Sequence, residues 1–138
     1  MCGFVGFINR RETKEAKSVL KQMADCIAHR GPDDESYYLD SDIALGFRRF
    51  SITALAGGRQ PMTNEDDSLV LTFNGEIYNF RELREELEAK GHIFKTQADS
   101  ETILHGYEEY GNDLPKRLRG MFAFVIWDKK EKKLFGAR

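Results

Sequence analysis

Cysteine is scarce, with only Cys2 and Cys26 in 138 residues. Two thiols make a poor disulfide framework, so a reducing compartment is expected. No apolar run approaches the roughly 20 residues that span a bilayer. The N-terminus also lacks the basic segment, apolar core and small-residue cleavage site of a secretory signal. A cytoplasmic location with no membrane partner is therefore expected. Charge of one sign is not in excess either: 21 Lys and Arg stand against 23 Asp and Glu, a net of −2. That removes the electrostatic case for nucleic acid. There is no internal repeat and no low-complexity linker. His29, His92 and His105 have no ligand spacing with the cysteines. They read as structural or surface residues, and no metal centre is expected.

What is present is an ordinary globular composition, 41% hydrophobic and 32% charged. A chain of this length suits one domain over 1–138, burying roughly two thirds of its unfolded surface. Gly3–Ile8 reads as a buried strand. Lys14–His29 reads as a helix with an apolar stripe of Ala16, Val19, Leu20, Met23 and Ile27. Gly31-Pro32 ends it. Strands are expected over Tyr37–Leu39, Ile43–Ile52 and Leu69–Phe73, the last closed by Asn74-Gly75. Asn79 and Glu82 read as a capping box for a helix with Phe80, Leu83 and Leu87 inside and Gly91 as its stop. A short strand follows at Ile93–Thr96. Asp99 or Ser100 then caps a second helix, with Ile103, Leu104 and Tyr107 inside, and Leu114–Leu118 makes a shorter helical piece. Met121–Trp127 and Leu134–Gly136 form a final hairpin about the charged turn 128–133.

The strands are grouped rather than alternating with helices, and several are apolar throughout. The expected class is therefore α+β, sheets packed together with helices outside. The chain stops at Arg138, in or just after a strand. That would leave a raw sheet edge, so the domain is expected to be incomplete at its C-terminus. Self-association through the edge is a further expectation.

Four features could carry chemistry. Cys2 follows Met1 directly and leads into a core strand. Loss of Met1 would expose it as the first residue, with an α-amine of pKa about 7.7–8.0 beside a thiol of about 8.5. Such an amine can activate its own side chain, and no histidine is then required. The plainer reading is a small buried hydrophobe. Asn74-Gly75-Glu76 is first a turn signal; alternatively the Asn74 amide and the Gly75 N–H form an oxyanion hole. Arg48 and Arg49 point to opposite faces of a strand, so one can face inward and clamp a carboxylate. Asp99 is most simply an N-cap, or else a carboxylate that receives an amine.

These stretches together resemble one family. Met1-Cys2-Gly3-Phe4-Val5-Gly6, His29-Arg30-Gly31-Pro32-Asp33, Arg49-Phe50-Ser51-Ile52, Gln60-Pro61-Met62, Asn74-Gly75-Glu76-Ile77-Tyr78-Asn79, Asp99-Ser100-Glu101 and Gly120-Met121-Phe122-Ala123-Phe124 are similar to the glutaminase domain of class II glutamine amidotransferases. Within that group the likeness is to asparagine synthetases. The resemblance runs the length of the chain. It implies the four-layer αββα sandwich of N-terminal nucleophile hydrolases. It implies that Cys2 attacks the glutamine side-chain amide, with Asn74 and Gly75 holding the oxyanion. Arg49 would clamp the substrate carboxylate, Asp99 and Glu76 would meet its ammonium, and Phe50, Ser51, Ile52 and Thr53 would line the pocket. No cofactor is implied for this step. ATP and magnesium are implied only for a synthetase domain, the partner that would take up the ammonia.

Three points depart from the pattern. The synthetase domain is not in the chain, Ser51–Leu55 lacks the more usual acidic residue near position 54, and a retained Met1 would block the amine. Two other functions stand beside the leading one: a non-catalytic glutamine-binding or interaction module, and the glutaminase domain of another class II amidotransferase.

Overall fold

A computed structural model describes residues 2–8, 13–50 and 58–138. Its contacts divide the chain into two units, Met1–Ala54 and Leu55–Arg138.

The first unit is a three-stranded antiparallel sheet with one helix. Its strands are β1 (Gly3–Ile8), β2 (Asp34–Leu39) and β3 (Ile43–Arg49), in the order β1-β3-β2. The central strand β3 is buried from Ile43 to Phe47. Helix α1 (Thr13–Cys26) packs on it, and Gly46 leaves room beneath Leu20. The buried face of α1 is Ala16, Leu20 and Ala24. The expected stripe is thus turned by part of a residue step, and Val19 and Met23 are only half-buried. The helix also ends at Cys26, three residues early, in a 3-10 turn over Ala28–Arg30. There the Arg30 N–H donates to the Ile27 carbonyl at 2.9 Å and the Gly31 N–H to Ala28 at 3.1 Å. These tighter i→i+3 bonds bring the chain round toward β2. Strand β3 ends at Arg49, and the expected extension to Ile52 falls beyond the described residues after Phe50.

The second unit is a four-stranded antiparallel sheet with two helices. Its strands are β4 (Met62–Thr63), β5 (Leu69–Ile77), β6 (Gly120–Asp128) and β7 (Lys133–Ala137), paired in that order. Helices α2 (Phe80–Ala89) and α3 (Glu101–Tyr110) pack together, and a 3-10 turn over Gly111–Lys116 stands where a short helix was expected. The core joins Leu71, Phe73 and Ile77 of β5 to Phe124 and Ile126 of β6 and to Leu83, Ile103 and Leu104 of the helices. Residues 101–107 of α3 are buried on every side. Such a helix needs polar partners inside as well as apolar ones.

Three local expectations are corrected. Asn74-Gly75 is not a turn: β5 runs straight through it, with Gly75 opposite Phe122. Residues 93–96 form no strand. The Lys95 and Thr96 N–H groups donate instead to the Glu101 carboxylate, each at 2.7 Å. Asn79 and Ser100 precede their helices without side-chain capping bonds; the Asn79 side chain is tied instead to the backbone of Arg117 and Arg119. The α+β class expected from the sequence is the class found.

Candidate active site

The first unit presents a thiol and a cation at adjacent strand ends. Cys2 precedes β1, and the β1–β3 register, with Gly3 opposite Arg48, carries it alongside Arg49 and Phe50. The Phe50 N–H donates to Cys2 Sγ at 3.4 Å, and the thiol faces the Phe50 carbonyl at 3.8 Å. The sulfur is thus placed by backbone alone and stays half-buried.

The two arginines separate as strand alternation requires. Arg48 is committed: its Nε donates to the Ala24 carbonyl at 3.1 Å, and its guanidinium pairs with Asp25 and, at 2.7 Å, with Glu35. Arg49 makes no ion pair among the described residues, so its charge is available. The His29–Asp33 stretch explains itself here. Gly31 passes so close to β3 that a side chain there would strike the backbone at Arg48 and Arg49. The Asp33 N–H then donates to the Arg49 carbonyl at 3.1 Å. The turn therefore fixes the backbone that carries Arg49, a role the break signal Gly-Pro did not reveal. Phe50 is exposed. Ser51, Ile52 and Thr53 lie outside the described residues.

The second unit presents an amide, a backbone donor and a carboxylate at one end of β5. Asn74 is half-exposed, and Gly75 and Glu76 are exposed. Gly75 has φ +145°, a conformation open to glycine. A methyl there would also strike the Met121 carbonyl and the Phe122 Cα. Two residues on, the Ile77 N–H donates to Asp99 Oδ2 at 2.8 Å. The structure therefore brings Asn74, Gly75, Glu76 and Asp99 to the same strand end. Burial pushes the Asp99 carboxyl above the usual carboxylate range, with the Glu76 charge adding to it and the N–H groups of Ile77 and Ser100 opposing. Asp99 makes no ion pair among the described residues.

Other residues position this end. Asn79 accepts from the Arg119 N–H and donates to the Arg117 carbonyl, both at 2.9 Å. That ties the end of β5 to the approach to Gly120. Gln60 Oε1 accepts from the Phe73 N–H at 2.6 Å, next to a cis Gln60–Pro61 bond. Glu101 takes the Lys95 and Thr96 amides and the Thr96 hydroxyl, the last at 2.6 Å, and so steadies the segment leading into Asp99. A glutamate at the first position of a helix is the signal that could have drawn attention to it.

Known proteins place this fold and this sequence in a family. Over 66% of its length the chain shares the fold of an amidotransferase structure, a glutamine phosphoribosylpyrophosphate amidotransferase from Bacillus subtilis complexed with ADP and GMP. The TM-score is 0.54 at 26% identity, and 22% of that chain is covered. A structure described as the allosteric regulatory enzyme of purine biosynthesis matches over the same share, with a TM-score of 0.57 at 26% identity. These neighbours give the α+β fold as that of N-terminal nucleophile amidotransferases. The glutamine amidotransferase domain model matches residues 1–138. The chain belongs to that glutamine amidotransferase domain family. It is 48% identical, along its whole length, to glutamine-hydrolysing asparagine synthetase 1 of Bacillus subtilis, and 44% identical to a probable glutamine-hydrolysing asparagine synthetase of Dictyostelium discoideum. It spans 22% and 25% of those two proteins.

Proposed function

We propose that this chain hydrolyses glutamine to glutamate and ammonia, as the ammonia-supplying domain of a glutamine-dependent asparagine synthetase. The observation that carries the reading is the charge pattern. Arg49 in the first unit and Asp99 in the second are a cation and a carboxylate without ion-pair partners among the described residues, and each is opposite in sign to one charge of a free α-amino acid.

On this reading, Met1 is removed and Cys2 becomes the first residue. Its α-amine accepts the thiol proton as the sulfur attacks the side-chain amide carbon of glutamine. The amide oxygen becomes an oxyanion received by the Asn74 amide and the Gly75 N–H. Collapse breaks the C–N bond, and the protonated amine returns its proton to the leaving ammonia. A thioester on Cys2 remains. Water, deprotonated by the same amine, adds to it and releases glutamate and the free thiol. Arg49 binds the α-carboxylate, and Asp99 with Glu76 binds the α-ammonium. Phe50, exposed beside Arg49, borders the bound substrate. The step requires no cofactor. ATP and magnesium belong to a synthetase domain, which takes the ammonia in the intact protein.

The test combines turnover with labelling. A glutamine-like diazoketone is expected to add once, at Cys2, to a chain whose mass lacks Met1. Cys2→Ala is expected to abolish both the label and glutamate release, a loss of roughly three or more orders of magnitude. Normal turnover in Cys2→Ala would overturn the reading.

A further inference from the structure

One cluster on the second unit takes no part in the chemistry above. His105, on α3, is buried, with its side chain 1% exposed. Its Nδ1 lies 2.9 Å from Glu108 Oε2, and the Nδ1 of His92 lies 3.5 Å from the same oxygen. The two rings are 5.2 Å apart and tilted by 50°. One ligand atom from each of His92, His105 and Glu108 falls within 4.8 Å of the others.

The surroundings match what metal-bound imidazoles require. A ligating histidine usually turns its other ring nitrogen to a carboxylate, which fixes the tautomer and strengthens the donor. The His92 ring does so here, and the His105 ring has two carboxylates just beyond hydrogen-bond range. His92 Nε2 faces Glu109 Oε2 at 3.4 Å. His105 Nε2 faces Glu101 Oε1 and Glu65 Oε1, each at 3.6 Å, is buried, and has no hydrogen-bond partner among the described residues. Glu108 is held from behind, its Oε1 accepting from Asn64 Nδ2 at 2.7 Å. Four glutamates thus surround two imidazoles. Lys90 Nζ pairs with one of these glutamates, Glu109, at 2.7 Å.

We propose that His92, His105 and Glu108 bind one zinc-class divalent cation. Zinc takes nitrogen at about 2.0–2.1 Å and carboxylate oxygen at about 2.0–2.2 Å, so tetrahedral ligands stand roughly 3.3–3.5 Å apart. The His92–Glu108 separation already has that value. The His105–Glu108 contact must open by about half an ångström, exchanging a hydrogen bond for two metal bonds. Two nitrogens and one oxygen suit zinc or cobalt better than magnesium or calcium, which prefer all-oxygen shells. Water completes the shell. The ion would join His92, just after α2, to α3, and so brace the segment that ends at Asp99.

The test uses the full chain, stripped with chelator and titrated with zinc chloride, with cobalt(II) absorption recorded in parallel. One ion per chain is expected, with a Kd of about ten micromolar or tighter and a rise in thermal midpoint on loading. His92→Ala, at a position nearer the surface than His105 and so less exposed to misfolding, is expected to weaken binding at least tenfold and to remove the thermal shift. Three results would each overturn the site. They are no uptake at roughly 100 μM zinc, uptake undiminished in a folded His92→Ala chain, and a sulfur-to-cobalt charge-transfer band placing the ion on a cysteine.

Discussion

The two units hold their site groups in opposite ways. In the first, Cys2 and Arg49 are fixed through the main chain, by the Phe50 N–H at the sulfur and the Asp33 N–H at the Arg49 carbonyl. Their side chains are left to act. In the second, the side chains are what is fixed: Asp99 by Ile77, Glu101 by Lys95 and Thr96, Asn79 by Arg117 and Arg119. The difference follows from the proposed roles. A nucleophile must travel toward carbon as its bond forms, so its sulfur is held by a single long N–H contact rather than by a network of side chains. A group that stabilises developing charge or binds a fixed ion works best when it has nothing left to reorganise.

The largest effect that sharpens this contrast is expected at Asn74. On the proposed assignment, Asn74→Ala removes one oxyanion donor and lowers kcat by about 10²–10³, with KM for glutamine little changed. Steady-state glutamate release measures it. A loss confined to KM would move Asn74 from stabilising charge to binding substrate.

The paired arginines break the contrast within one strand. Arg49→Ala is expected to raise KM for glutamine roughly tenfold to a hundredfold, the worth of a charge-assisted bond, with kcat largely kept. Its stability should hold to within about 0.5 kcal/mol, since no ion pair is lost. Arg48→Ala should do the reverse. Its side chain is only 11% exposed and serves Ala24, Asp25 and Glu35. Truncation should cost about 1–3 kcal/mol in urea denaturation, with KM nearly unchanged. An Arg48→Ala chain with a high KM and ordinary stability would exchange the two roles.

The sequence-level reading succeeds where the signal is local. The apolar runs of β1, β5 and β6 and the spacing of Leu83 and Leu87 are enough to place those elements, although β1, expected to be buried, is half-buried at best, with Ile8 50% exposed. It fails where the deciding partner is distant. Asn74-Gly75 has turn chemistry, yet it stays in a strand because the Met121–Phe122 backbone approaches where only a glycine fits. Nothing within several residues of Gly75 says so. Asn79 and Ser100 look like caps, but Asn79 is taken by Arg117 and Arg119, about 40 residues on. Arg48 and Arg49 are indistinguishable until Asp25 and Glu35 are seen on one face alone. The resemblance supplied what locality could not, assigning roles to Arg49 and Asp99. It said nothing of His92 and His105, whose meeting depends on the fold of one segment onto α3.

The smallest effect separates Arg49 from Asp99, neither of which makes an ion pair among the described residues. Arg49 is partly exposed and costs the fold little. Asp99 is likewise only half-buried, but desolvation raises its pKa above the ordinary 3.8. An acid whose folded pKa exceeds its unfolded one binds protons more tightly in the native state. Its contribution to stability is present below pH 3.8 and is lost as pH rises through the folded value. At neutral pH the ionised carboxylate is therefore a net cost of folding, retained for the ammonium it is proposed to bind. Asp99→Asn keeps an oxygen for the Ile77 N–H and removes the charge. It is expected to be as stable as the parent or more so at pH 7, to lose that advantage below pH 3.8, and to bind glutamine poorly. Thermal midpoints of both chains across this range test it. A variant less stable at pH 7 than at pH 4, relative to the parent, would mean that the Ile77 bond outweighs desolvation, and that Asp99 holds the strand end rather than waiting for a ligand.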